Sequence, residues 1–203
     1  MLFRSFDAAP VADLIHWADI VDGALYESPK AAVEMAEPAM KLTLVIESSQ
    51  DPAFIPRLIP LLTEMSLGQV LEQPFVADLL PPLLERHHKS LAIIGERTEL
   101  RDGTLYFDIT DQPFEGYNKF GPYYLFPEAM YSVGVSASAA RAKISVGTNP
   151  WKEPPKDVNL ASLCEKHGGG GHARVAAISL GPGDLVRARQ VAKEIAATLR
   201  QHS

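Results

Sequence analysis

The chain has 203 residues, with 19 Lys and Arg against 25 Asp and Glu and a formal charge of −6. Hydrophobic residues make up 46% and charged residues 22%, the balance of a folded globular protein, which excludes a disordered or fibrous chain. No apolar run approaches the roughly 18 residues of a membrane span, Asp7 and Pro10 interrupt the place of a signal peptide's apolar stretch, and the lone Cys164 excludes an intramolecular disulfide or a multi-cysteine zinc site.

In chain order, Val11 to Ala24 carries Leu14, Ile15, Trp17, Ala18 and Val21 at three- and four-residue spacing, which predicts a helix with one buried face. Ser28 followed by Pro29 starts a second helix, with serine as cap and proline at the first position. Further helical stretches are expected near 53–66, 67–73 and 74–94, divided by Gly68, Pro74 and the Pro81-Pro82 pair. The pair His87-His88 follows Arg86 on a charged stretch and reads as solvated helix surface.

From about residue 90 the pattern changes to short apolar or alternating runs: Leu91 to Glu96, Leu105 to Ile109, Tyr123 to Phe126, Ala129 to Ser136 and Ala142 to Val146. They are separated by turn residues such as Asp102-Gly103 and predict strands. Leu160 to His167 and Pro182 to Gln201 predict helices, the latter with an apolar stripe of Leu185, Ala188, Val191, Ile195 and Leu199, and Val175 to Leu180 predicts a strand between them. The whole reads as an α/β (α+β) chain: a helical segment over 1–92, then a domain over 93–203 with a mixed sheet flanked by helices. These features predict a cytoplasmic protein with no membrane partner and with Cys164 as a small buried apolar residue.

Charge divides the chain further. Residues 1–100 hold 7 basic and 15 acidic side chains, whereas residues 101–203 hold 12 and 10. Within Ser138 to Arg174, Arg141, Lys143, Lys152, Lys156, Lys166 and Arg174 outnumber Glu153, Asp157 and Glu165. Such a patch can draw phosphate without the broad field that coats duplex DNA; the competing reading is a set of solvated lysines.

The most informative stretch is Gly168-Gly169-Gly170-Gly171-His172. Four consecutive glycines carry a large ordering entropy, so a folded chain keeps them where side chains would clash or where backbone must approach a ligand. Consecutive amides in such a turn form a concavity suited to anions, and His172 at its end can donate to a phosphate. The competing reading is a linker or a generous helix cap.

Preceded by Val158 to His167 and followed by a strand, this pentapeptide resembles the end of the DHHA1 domain, the C-terminal substrate-binding domain of the DHH phosphoesterases. The family continues with two variable residues and Ala-Ala-Gly; here Ala173-Arg174 lead into Val175-Ala176-Ala177. The block Lys143-Ile144-Ser145-Val146-Gly147-Thr148-Asn149-Pro150-Trp151 is similar to the family's strand ending in Ser-x-Arg-Ser. Ser145 matches its first serine and Gly147 replaces its arginine, so Arg141, Lys143 or Arg174 can stand in for the missing cation, with Asn149 as a polar contact. Trp151 can stack on a base or anchor packing.

Upstream, His16-Trp17-Ala18-Asp19-Ile20-Val21-Asp22 resembles the region of the family's last catalytic aspartate. Asp22 matches best, and Asp19 competes. The remaining metal motifs of the family, including Asp-His-His, are absent from the sequence, and Met1 to Phe6 can be a remnant of a catalytic-domain strand or loop.

The resemblance implies two Mn ions in the complete family and hydrolysis of phosphodiester or phosphomonoester bonds, with this chain catalytically incomplete. It implies phosphate-binding residues Gly168, Gly169, Gly170, Gly171, His172, Ser145, Asn149, Arg141 and Arg174, a metal candidate at Asp22, and short single-stranded RNA or DNA, or a nucleotide, as partner. A homodimer is also open. The alternatives are a stand-alone non-catalytic nucleic-acid-binding or regulatory module, and a DHHA1-like domain of the alanyl-tRNA-synthetase type.

Overall fold

Prolines and short polar caps cut the first part of the chain into brief helices. In the computed structural model, which describes residues 11–112 and 116–202, these are α1 (Ala12–Gly23), α2 (Pro29–Val33), α3 (Pro38–Ser48), α4 (Phe54–Glu64), α5 (Leu67–Leu71) and α6 (Pro74–Ala77). The segment Met1 to Phe6 lies outside the described residues. Ser28 Oγ accepts from the Ala31 amide at 3.2 Å with Pro29 in the first turn, and Ser66 and Gln69 close a reciprocal capping box over α5. Leu42, Val45, Phe54, Leu58, Val70 and Val76 form the core of these helices.

The chain divides into two compact units, Met1–Arg86 and His87–Ser203, and the boundary falls inside α7 (Leu80–Arg97). Pro81 and Pro82 do not divide this helix. They sit in its first turn, where the missing amide hydrogens have no intrahelical partner to lose. His87, expected on a solvated surface, is 5% exposed, because it shares one helical face with Ser90 and Ile94; His88 is exposed.

The second unit is built on a mixed six-stranded sheet in the order β1-β2-β3-β4-β6-β5. Its strands are β1 (Glu99–Arg101), β2 (Thr104–Asp108), β3 (Tyr131–Ala137), β4 (Ala142–Thr148), β5 (Gly170–His172) and β6 (Val175–Leu180). Among the described strands β2 and β3 run parallel and the other neighbours antiparallel. Asp102 and Gly103, with φ of 43° and 64°, make the two-residue turn between β1 and β2 that needs two left-handed residues. The helices of this unit are α8 (Gly121–Leu125), α9 (Leu160–Glu165) and α10 (Leu185–Leu199).

Strand alternation sends Val133, Val135, Ile144, Val146 and Ile178 to one side, where they are buried with Leu160 and Cys164 of α9 and with Ala188, Val191, Ile195 and Leu199 of α10. On the other side, Ile94 of α7, Phe107 and Ile109 form a smaller cluster joined by Tyr117 and Leu125. Two expected strands are helical instead. Leu91 to Glu96 belongs to α7, an apolar run too short for its period to separate helix from strand. Tyr123 to Phe126 overlaps α8, where Pro122 in the first turn sets the helix despite two aromatic residues that favour strands.

Candidate ligand-binding face

The side of the sheet away from α9 and α10 has a floor of small residues over β4, β6 and β5. Register places Gly134, Ser145, Ala177 and Gly170 in one row, Ser132, Gly147, Val175 and His172 in the next, and Ser136, Lys143 and Ser179 in a third. None of these strand residues is acidic. Ser145, Gly147, Ala177 and Gly170 are half-buried, and Val175 and His172 are exposed.

The glycine run is a helix end followed by an edge strand, not an open turn. Gly168, at φ 81°, ends α9: its amide donates to Glu165 O at 3.1 Å and the Gly169 amide to Cys164 O at 2.9 Å, the paired bonds of a Schellman cap. Those two amides are thus committed to the helix. A Cβ at Gly169 would stand 2.4 Å from Ala177 O. At Gly171, with φ 149°, it would stand 2.4 Å from Val175 O. At Gly170 nothing lies within 4 Å. Three glycines are therefore required by local structure, and Gly170 alone is spare, its missing side chain leaving the floor bare beside Ala177.

Two tyrosines wall the floor on the β3 side. Tyr123 is 2% exposed, and its hydroxyl lies 2.9 Å from Ser132 Oγ and 2.9 Å from where a Cβ at Gly147 would stand. Tyr117 packs edge-on to Phe107 at 5.3 Å and hydrogen-bonds Ser145. Burial pushes the Tyr117 phenol up to about 12, against the pull of the Ser145 hydrogen bond, and pushes the Tyr123 phenol up as well, so both hold their protons at neutral pH.

The expected contacts fall in different places. Ser145, Gly170 and His172 share the face. Arg141 precedes β4 in an exposed turn whose Ala140 and Arg141 amides both donate to Ser138 Oγ. Arg174 lies in the exposed two-residue turn between β5 and β6, its carbonyl held by the Thr148 amide at 2.9 Å. Asn149 is 1% exposed and spends its side chain internally: Nδ2 donates to Ala129 O at 2.8 Å and Oδ1 accepts from the Trp151 amide at 3.0 Å. The Trp151 ring meets the edge of Phe120 at 5.6 Å. The feature that sequence reasoning did not single out is Tyr123, whose role appears only once its helix lies over Gly147.

A metal pair needs several carboxylates and imidazoles converging on ions a few ångströms apart. Asp22, Asp19 and His16 are all exposed on α1, and among the described residues no group of three His, Cys, Asp or Glu side chains can hold a metal ion. The donor set does not fit the implied manganese pair. A shallow concavity of about 560 Å³ runs along the outer side of α10, but its Arg189 is already paired with Asp108. Among the described residues no helix is long and apolar enough to cross a membrane.

No family model matches the sequence, and no curated protein matches it. Solved structures do. The pGpG-specific phosphodiesterase PggH from Vibrio cholerae superposes with a TM-score of 0.74 at 17% identity, covering 98% of this chain and 68% of that one. The DHH domain of a member of the s1p family of ribosomal proteins superposes with a TM-score of 0.50 at 16% identity, covering 93% of this chain and 51% of that one. The chain has the fold of these DHH-domain proteins.

Proposed function

We propose that this DHH-type fold uses its small-residue sheet face to hold a short single-stranded nucleic acid or nucleotide by its phosphates and bases. The observation that carries the reading is the floor itself. Gly170 is bare with no steric demand on it, next to Ala177 and Ser145, on a face whose described strand residues include a lysine and a histidine and no carboxylate. A flat ring can lie against such a floor, and the absence of negative strand side chains leaves it open to an anionic ligand. The likeness to a structure described as a pGpG-specific phosphodiesterase supports a ligand of dinucleotide size.

In this reading the chain contributes the holding of the substrate. Ser145 offers a hydroxyl at the centre of the floor, His172 an imidazole at its edge, and the buried Tyr117 and Tyr123 phenols fix the wall against which the ligand is positioned. No hydrolytic step is assigned to Asp22 or its neighbours, since among the described residues they join no group of three ligating side chains.

The test is a titration of the full chain with a 5′-phosphorylated ribodinucleotide at two salt concentrations. Binding that weakens with salt and weakens on His172→Ala supports the proposal. Absent or salt-insensitive binding, unchanged in that variant, overturns it.

A further inference from the structure

Position 147, where the resembled strand carries a cation, cannot accept one here. A Cβ at Gly147 would lie 2.9 Å from the Tyr123 hydroxyl and 3.4 Å from Ser132 Oγ, and that phenol is buried and hydrogen-bonded to Ser132. A lysine or arginine that meets an anion on this face therefore stands in another row.

We propose that Lys143 is that residue: the cation that binds the terminal phosphate of a ligand lying on the sheet face. This rests on the reading of the face given above. Lys143 is the one lysine or arginine among the described strand residues of this face, four residues along β4 from Gly147 and two from Ser145, and alternation keeps all three on one side. It stands between Ser136 on β3 and Ser179 on β6, whose hydroxyls do not neutralise it. It is half-buried, yet among the described residues no carboxylate lies within ion-pairing distance of its ammonium. Its aliphatic stem is covered by the sheet, and its ammonium, with no carboxylate beside it, is available to a bound anion.

The other candidates are placed less well. Arg141 and Arg174 are exposed and belong to turns outside the strands. The row of Lys143 is the outermost on this face at the start of β4, so an end of the ligand meets it, and a phosphate monoester carries more charge than an internal diester. His172 stands at the other end of the floor. Its row and that of Lys143 are separated by the four-residue step from Val175 to Ser179, about 13 Å at the rise of a strand, which leaves Ser145, Ala177 and Gly170 between the imidazole and the ammonium.

The experiment compares 5′-phosphorylated and 5′-hydroxyl ribodinucleotides by calorimetric titration of the full chain and its variants. Lys143→Met should bind the phosphorylated ligand about tenfold more weakly and lower the salt slope by about one, while changing affinity for the hydroxyl ligand less than about twofold. Lys143→Arg should restore most of the affinity, and Arg141→Gln should stay within about twofold of the wild type. Lys143→Gln is measured alongside, and an unchanged melting temperature establishes that each variant is folded. Unaltered binding of the phosphorylated ligand by the Met and Gln variants, or an equal loss for both ligands, overturns the assignment of Lys143 alone. A wild-type chain that binds neither ligand overturns the reading of the face and this inference with it.

Discussion

Gly169 lies against Ala177 so closely that a Cβ on the glycine would stand 2.4 Å from the alanine's carbonyl oxygen, and one residue later Gly170 has open space in the same place. The four glycines are therefore not equivalent. Gly169→Ala and Gly171→Ala should each lower unfolding free energy by about 2 kcal/mol or more, since the clash is with backbone and Gly171 also holds a φ of 149°. Gly170→Ala should leave stability within about 0.5 kcal/mol and weaken dinucleotide binding, because its methyl group would stand on the floor. Urea denaturation and ligand titration on the three variants separate the two effects; equal destabilisation by all three would contradict this division of roles.

Asn149 makes the opposite case. Its amide is buried and bridges Ala129 O to the Trp151 amide, so removing it takes a donor from the buried Ala129 carbonyl and breaks the turn at Trp151. Asn149→Ala should cost about 2 kcal/mol in denaturation experiments. Ligand affinity measured on the folded variant should stay close to wild type, and a selective loss of affinity at unchanged stability would return Asn149 to the binding surface.

Cys164 is fully buried in the core beneath the sheet, and burial pushes its thiol up to about 11. Reaction with a disulfide reagent at pH 8 should be on the order of 100-fold slower in the native protein than in urea, from the smaller thiolate fraction before access is counted. Native labelling at the rate of the unfolded chain would show that α9 opens readily.

Much of this was legible because burial imposes a period. The alternation in β3, β4 and β6 and the stripe of α10 follow from apolar residues that must face the same core. Ser28 and Pro29 announced α2 through a cap that needs no tertiary partner. Elements without such a local signal were hidden. The glycines of β5 have no strand preference and become a strand only against β6, while β1, Glu-Leu-Arg, is a charged edge held by its neighbour. Ser145 and His172 were legible as a motif, but Gly147 read only as a missing arginine until Tyr123 was seen to fill its place.

Acid should act on the second unit through Asp108, which joins β2 to α10. Arg189 Nε donates to Asp108 Oδ2 at 2.7 Å, and the Thr110 amide and hydroxyl donate to Oδ1 at 3.0 and 2.7 Å. Burial pulls the carboxyl upward, but the Thr110 and Arg189 hydrogen bonds together outweigh it and hold the group below its ordinary value. A carboxyl depressed on folding stabilises the protein above its unfolded value, about 3.9, and that stabilisation is lost as pH falls through the lower, folded value. Asp111, exposed and held near 2 by Arg97, adds a second loss with the same sign. Unfolding free energy should therefore decline from pH 4 downward. Asp108→Asn should cost about 1 kcal/mol at pH 7, a modest amount because Arg189 is itself 44% exposed, and should make the acid decline shallower without abolishing it. Denaturation curves for both proteins between pH 7 and pH 2 provide the check: parallel acid limbs would show that Asp108 titrates in the fold as it does in the unfolded chain.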